Sequence, residues 1–300
     1  MNNTIHIFLA KWYNRIFAYF FGVVFLLILY NIIFNIFSNF LLSWKYNFLI
    51  ISIINFLLIS LPVFIIEQIR SGNFLKSLGL QFDKFTIRYL INSFLYVFIP
   101  FLIIFIVGYS FKIIKLTDSN VSLYALFQFI FISIFAVLQE EIFFRGVLLK
   151  YLNERFSTVS SILLISIIFA IMHLFNPYIS WSSFISTIIA GILFSLMYIQ
   201  TKALLFPIFY HFFWNVLSAL LLGSPISGLS QYLFFFEMKT HTPIEQFFLG
   251  NQYGIESGIA TIIILIITSY FIIKYESINP YFSSHNFKTI YNEDKIQLSK

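Results

Sequence analysis

The chain has 300 residues, of which 60% are hydrophobic and only 10% are charged, and its net charge is +6 at pH 7. A soluble domain carries about 25% charged residues, so this composition excludes a fold whose whole surface faces water. The 18 Lys and Arg residues form no basic patch, which argues against a nucleic-acid partner, and the absence of Cys excludes disulfides and a cysteine nucleophile.

Eight apolar blocks follow one another along the chain, and several reach the length of about 20 residues that a membrane-crossing helix needs. The first block is too long for the apolar region of a signal peptide, so we expect it to be retained. The pattern predicts an all-α fold, a polytopic membrane helix bundle of about eight transmembrane helices. The blocks cover residues 16–42, 47–66, 89–109, 121–152, 158–175, 182–200, 203–222 and 257–273.

The segments between the blocks predict the orientation and the domain organisation. With the amino terminus inside, fourteen of the 18 Lys and Arg residues fall on the cytoplasmic side. Because cytoplasmic loops carry the excess of positive charge, we expect a multi-pass protein of the cell membrane with both termini in the cytoplasm. The predicted divisions are helices one to three with a cytoplasmic loop at 67–88 (1–119), a core of helices four to seven (120–222), an extracytoplasmic loop (223–256), and helix eight with a polar cytoplasmic tail (257–300).

The fourth block carries three charges inside an apolar run, at Glu140, Glu141 and Arg145. Each charge at a helix centre costs about 2.5–3.5 kcal/mol on insertion scales, and such residues are functional by default. Glu141 and Arg145 are four residues apart and are predicted to pair, whereas Glu140 points about 100° away and can face the bundle interior. The alternative is a helix that ends near Leu138, with the charges in a solvated loop.

Two later blocks carry the remaining polar residues of interest. His173 follows Phe169 by four residues, and His211 and Asn215 share one face of the seventh helix because they are also four residues apart. Pro207 lies one turn before His211, where we expect it to remove a backbone hydrogen bond and kink the helix. Each motif has a structural alternative, either a satisfied core histidine or a polar pair that joins helices.

Depth in the membrane connects these motifs. At about 1.5 Å per residue, Glu140, His173, His211 and Asn215 are all predicted near the middle of the bilayer. A carboxylate and an imidazole can hold a water and remove its proton, and a second imidazole with an amide can donate hydrogen bonds to an oxyanion. This set suits amide hydrolysis, but Glu140, His173 and His211 can equally bind zinc with a water in the fourth position.

Residues 120–222 resemble the CAAX protease and bacteriocin-processing family, which is also called the abortive-infection family. The resemblance is carried by E-E-x-x-x-R at 140–145, F-x-x-x-H at 169–173 and H-x-x-x-N at 211–215, in that order and spacing. It implies an intramembrane endopeptidase with an all-helical core.

The resemblance also implies a role for each motif residue. Glu140 and His173 would activate water, His211 and Asn215 would form the oxyanion site, and Glu141 and Arg145 would support the architecture. Family members are often called metalloproteases, but the glutamate-dependent mechanism requires no metal cofactor. We expect that mechanism here, with zinc as the alternative.

The expected partners are the lipid bilayer and a peptide or protein substrate in or at the membrane, and the family suggests roles in bacteriocin self-immunity or peptide maturation. A non-catalytic membrane scaffold or immunity protein is a second hypothesis. A transporter that uses the carboxylates as a proton relay is a third. Transporters usually show two related halves, and the sequence has no such repeat.

Overall fold

The computed structural model describes residues 8–9, 11–36, 48–117, 122–229 and 235–276, and there it forms a bundle of helices with one small β-sheet. The predicted polar tail beyond residue 276 and the first seven residues lie outside the described residues. The elements in chain order are α1 (Trp12–Ile36), α2 (Phe48–Ser71), α3 (Phe74–Leu78), α4 (Thr86–Ser110), β1 (Ile114–Leu116), α5 (Leu123–Glu141), a π-helical segment (Ile142–Leu149), α6 (Lys150–Leu152), α7 (Thr158–Met172), a 3-10 turn (His173–Phe175), α8 (Trp181–Thr201), α9 (Leu205–Leu220), β2 (Phe236–Met238), α10 (Pro243–Leu249), a 3-10 turn (Ile255–Ser257), α11 (Ile259–Phe271) and a π-helical turn (Ile272–Glu276).

Eight of the described helices are apolar enough to belong to a membrane. Five have the length and composition to cross it, and in three others the apolar stretch within the described residues is shorter. Large apolar side chains such as Phe17 and Phe21 stay exposed on their outer faces, as contact with lipid requires. The predicted all-α membrane bundle is therefore confirmed. The long helices are Leu49–Ser71, Thr86–Ser110, Leu123–Leu152, Thr158–Phe175 and Trp181–Thr201, and the shorter ones are Tyr13–Leu26, Leu205–Leu220 and Ile259–Tyr275.

The fourth predicted block forms one continuous helical stretch. Glu140 and Glu141 are the last two residues of α5, and the chain continues without a loop through the π-helical segment into α6. The alternative in which a helix ends near Leu138 is therefore wrong. Arg145 lies inside the π-helical segment, a rare backbone form that is frequent at functional sites.

A buried carboxylate joins the helices at one end of the bundle. Glu67 is fully buried and accepts hydrogen bonds from Lys150 at 2.7 Å and from the hydroxyls of Ser77 and Tyr151. Its two oxygens thus connect α2, α3 and α6. The predicted loop at 67–88 begins later than expected, because α2 continues to Ser71.

Small residues allow α7 and α8 to pack closely. A Cβ placed on Gly191 of α8 would lie 2.8 Å from the Cα of Ser166 on α7, so no larger residue fits without moving a backbone. The Ser166 hydroxyl donates to the Ile162 carbonyl at 2.7 Å, and the Ser195 hydroxyl donates to Gly191 at 2.7 Å. Membrane helices approach in this way where small residues meet and hydroxyls are satisfied within their own helix.

Helix α9 packs along α4 and carries His211 and Asn215. It begins at Leu205, which puts Pro207 in its first turn. The first four N–H groups of a helix have no partner inside it, so a proline there costs no helical hydrogen bond. The expected loss of a hydrogen bond and kink beside His211 is therefore wrong.

The segment 223–256 contains regular structure that the sequence did not predict. Strand β2 pairs antiparallel with β1, with Ile114 opposite Met238 and Leu116 opposite Phe236. Helix α10 follows, and a capping box between Thr242 and Glu245 fixes its start. This segment is thus attached to the end of α4 and leads directly into α11.

Candidate active site

The two predicted histidines line one narrow cavity between α7, α8, α9 and α11. His173 and His211 face it from different helices, and its volume is about 40 Å³. A site of that size holds a few waters, since one water needs about 10–15 Å³ on this measure. The cavity is lined by Phe169, His173, Ser186, Thr187, Ala190, Phe194, His211, Trp214, Ser227, Glu256, Thr261 and Leu265.

His173 lies where α7 ends and a 3-10 turn begins. Its Nδ1 is 2.8 Å from the carbonyl oxygen of Phe169, the residue four positions earlier. A carbonyl oxygen can only accept, so Nδ1 carries the proton and a neutral ring keeps Nε2 as its acceptor. The backbone carbonyl one turn earlier thus fixes the tautomer of His173.

His211 is oriented by Glu141, which the sequence did not predict. The Nδ1 of His211 lies 2.9 Å from Glu141 Oε1, and the ring stacks on Phe194 with centroids 4.9 Å apart. The carboxylate accepts from Nδ1, which leaves Nε2 as the nitrogen that other groups can reach. Glu141 therefore contacts a proposed site residue directly, in addition to its predicted partner Arg145.

Glu141 and Arg145 form the predicted pair, and both side chains are fully buried. Arg145 Nη1 donates to Glu141 Oε1 at 2.9 Å, so that one oxygen serves Arg145 and His211 together. The guanidinium lies over the rings of Phe169 at 4.6 Å and Phe194 at 5.0 Å. At these distances the guanidinium makes cation–π interactions with both rings. Those interactions offset part of the free energy that the buried charge loses when it is removed from water. Arg145 thereby connects α7 and α8 to the π-helical segment.

Glu140 and Asn215 lie outside the lining of the cavity. The carboxylate of Glu140 nevertheless lies close enough to Arg145 and His211 for an electrostatic interaction with both. Its Oε2 atom is buried and has no hydrogen-bond partner within the described residues, and buried oxygens of this kind are normally satisfied by water. Asn215 is half-buried and lies one turn beyond His211 on α9.

Glu256 is a third carboxylate at this site, and sequence reasoning missed it. It lines the cavity from the 3-10 turn that precedes α11. Burial raises the pKa of Glu256, although hydrogen bonds from Ser227 and the charges of His173 and His211 oppose that change. An acidic residue just before an apolar helix is common at helix amino termini. The position of Glu256 in the sequence therefore did not indicate a functional role.

The zinc alternative depends on Glu140, His173 and His211. Within the part of the chain that the structure describes, no three His, Cys, Asp or Glu side chains converge closely enough to hold an ion. His173 and His211 each direct Nδ1 to a protein oxygen, an arrangement that leaves Nε2 of each ring free to bind a ligand, whereas Glu140 lies outside the cavity that the two rings share.

Comparison with known proteins identifies a family for part of the chain. Residues 121–217 match the family model described as Type II CAAX prenyl endopeptidase Rce1-like. No curated protein and no solved structure matches the chain. The matched segment contains all three motifs but excludes 223–256 and therefore Glu256. The match covers about a third of the chain and confirms the resemblance drawn from the motifs, because residues 121–217 are similar to the Rce1-like type II CAAX prenyl endopeptidases.

Proposed function

We propose that this chain is an intramembrane endopeptidase that hydrolyses peptide bonds of membrane-associated peptides or proteins with an activated water. The observation that carries the proposal is the meeting of His173 and His211 in one cavity that holds a few waters, with His211 bonded to the buried Glu141–Arg145 pair and Glu140 next to Glu141 in the chain. Charged groups inside a membrane helix bundle are energetically costly, so their presence indicates function. The family match supports peptide-bond hydrolysis.

In the proposed mechanism, Glu140 is the general base and His173 orients the water. The acceptor nitrogen Nε2 of His173 holds one water hydrogen, while the carboxylate of Glu140 takes the other as a proton. The water oxygen forms a bond to the carbonyl carbon, and the carbonyl oxygen becomes an oxyanion. The protonated Glu140 then returns its proton to the leaving nitrogen as the C–N bond breaks, so the base is regenerated.

His211 and Asn215 are the proposed donors to the oxyanion. Because His211 Nδ1 is already used by Glu141, only Nε2 can donate, which requires a ring that carries both protons. The adjacent Glu141 carboxylate supplies the countercharge for that form. Hydrogen-bond donors that already point at the oxyanion position stabilise the developing negative charge without reorganising. Each such donor raises kcat by about 10²–10³-fold.

The finer parts of the proposal concern orientation, organisation and biological role. We place both termini in the cytoplasm, keep residues 120–222 as the catalytic core, and regard bacteriocin self-immunity or peptide maturation as the role.

Comparing membrane peptides from a strain that carries Glu140→Ala with those of its parent identifies the substrate. A peptide that accumulates uncleaved in the variant strain is the expected result.

The direct test uses purified protein in liposomes with a quenched fluorescent peptide that contains an apolar segment of about 20 residues. Glu140→Gln is expected to lower kcat by about 10²–10⁴-fold, the usual contribution of a general base. Glu237→Gln, which changes a carboxylate on β2 paired with Lys239, is the matched control and should leave kcat unchanged. Equal kcat for Glu140→Gln and wild type would remove the proposal.

A further inference from the structure

The carboxylate of Glu256 is held by donors from two different parts of the chain. Its Oε2 accepts from the backbone N–H and the hydroxyl of Ser227, both at 2.8 Å. Its Oε1 accepts from the indole Nε1 of Trp214 at 3.2 Å. The backbone carbonyl of Glu256 accepts from the Ser186 hydroxyl of α8 as well. One residue thus fastens the segment before α11 to α8, to α9 and to the turn at 226–229.

These bonds surround the cavity that His173 and His211 share. Trp214 lies on α9 less than one turn beyond His211, and both side chains line the cavity. The Trp214 ring meets Phe101 edge-on, with centroids 4.7 Å apart. Its position is therefore set by packing on one side and by Glu256 on the other.

The two stretches of the loop nearest the cavity are joined as a unit. The N–H of Gly228 donates to Tyr253 at 2.8 Å, and the N–H of Ile255 donates to the Ser224 hydroxyl at 2.8 Å. Gly254 has a φ of 109°, and a Cβ there would lie 2.1 Å from the Pro225 carbonyl oxygen. Only glycine permits this approach, so the chain path delivers Glu256 to the cavity wall in a fixed geometry.

We infer that Glu256 is a positioning residue of the active site, which holds Trp214 and the turn at 226–229 as the wall of the cavity beside His173 and His211. The catalytic part of this inference rests on the proposed function, whereas the anchoring part does not. Trp214 lies inside the segment that matches the family model, whereas Glu256 and the turn at 226–229 lie outside it.

The first experiment measures the anchor without any substrate. Glu256→Gln keeps the size of the side chain but leaves one carbonyl oxygen for the donors of Trp214 and Ser227. Amide hydrogen exchange of the full chain in nanodiscs is expected to speed up by about tenfold at Ser227, because the N–H of Ser227 loses its charged acceptor. The control Glu237→Gln should leave exchange there unchanged. Unchanged exchange in Glu256→Gln overturns the inference.

The second experiment measures the catalytic consequence with the quenched apolar peptide in liposomes. Glu256→Gln is expected to lower kcat by about tenfold or more with little change in KM, because displacement of a site wall by about 1 Å misaligns reacting groups. Glu256→Asp, which retains the charge, should recover part of kcat. If Glu256→Gln does not fold, Trp214→Phe removes one donor only and should lower kcat in the same way.

The outcomes separate the two proposals. A wild-type chain that cleaves no peptide contradicts the proposed function, and the exchange measurement still decides whether Glu256 anchors the loop. Faster exchange with an unchanged kcat in an active enzyme overturns the positioning role. Faster exchange together with a lowered kcat, partly recovered by Glu256→Asp, supports it.

Discussion

The buried pair of Glu141 and Arg145 gives the sharpest prediction about stability. Both side chains are fully buried, and their atoms meet at 2.9 Å. Replacing Arg145 by Met leaves the buried Glu141 carboxylate without its guanidinium and with His211 as its remaining hydrogen-bond partner. Removing one partner of a buried ion pair costs about 3–5 kcal/mol, and loss of the cation–π contacts with Phe169 and Phe194 adds about 0.5–2 kcal/mol. We therefore expect Arg145→Met to lower the free energy of unfolding by about 3.5–7 kcal/mol.

The double variant Glu141→Gln/Arg145→Met separates the charge from the packing. With no unpaired carboxylate left, it should be more stable than Arg145→Met alone, although both changes are present. Unfolding in mixed micelles, followed by tryptophan fluorescence, measures the difference, and abundance in isolated membranes provides a second readout. Lys239→Met breaks a pair in which Lys239 is 56% exposed and should cost about 0–1 kcal/mol. A loss below about 1 kcal/mol in Arg145→Met, or simple additivity in the double variant, would refute the reasoning.

Three further predictions concern packing, charge and metal. Gly191→Val should lower the free energy of unfolding by about 1–3 kcal/mol, because its Cβ would meet the Ser166 backbone at 2.8 Å; thermal unfolding of Gly191→Val beside wild type measures this. Burial lowers the pKa of Lys202 to about 7 from its ordinary 10.5, so the unfolded chain binds more protons between those values and stability should rise with pH across that window. In Lys202→Met that rise should disappear and stability at pH 7 should increase, and unfolding at pH 7 and at about pH 9 tests both statements. Peptide cleavage should persist in the presence of a chelator; one bound zinc per chain with chelator-sensitive activity would instead support the zinc alternative.

The motif contacts that could be predicted from the sequence are those within a single helix. Glu141 with Arg145 and Phe169 with His173 are each four residues apart, and the structure shows a contact for each pair. Such spacing is decided by the helical repeat alone. The same is true of the membrane helices, because the length and apolar character of a block are local properties.

Contacts between helices were not predictable in this way. The contact between Glu141 and His211 depends on how α5 and α9 are rotated about their axes. The spacing of residues within one helix does not determine that rotation. The position of Glu256 depends in addition on a short strand pair and on a glycine turn in a segment that hydropathy describes only as a loop. Pro207 shows the opposite error, because its predicted kink depends on where α9 begins and the apolar pattern does not mark that start at Leu205.

The shared oxygen of Glu141 has a consequence for how variants of this site are interpreted. Because Oε1 serves both Arg145 and His211, a change at Glu141 alters a structural pair and a proposed oxyanion donor at once. Glu141→Ala would therefore lower abundance and activity together and could not assign Glu141 to either role. Glu141→Gln keeps an oxygen that can accept from His211 Nδ1 while it removes the charge. When combined with Arg145→Met it also removes the unpaired guanidinium, so activity per folded molecule in that double variant reports what the carboxylate contributes to His211 beyond holding the ring in place.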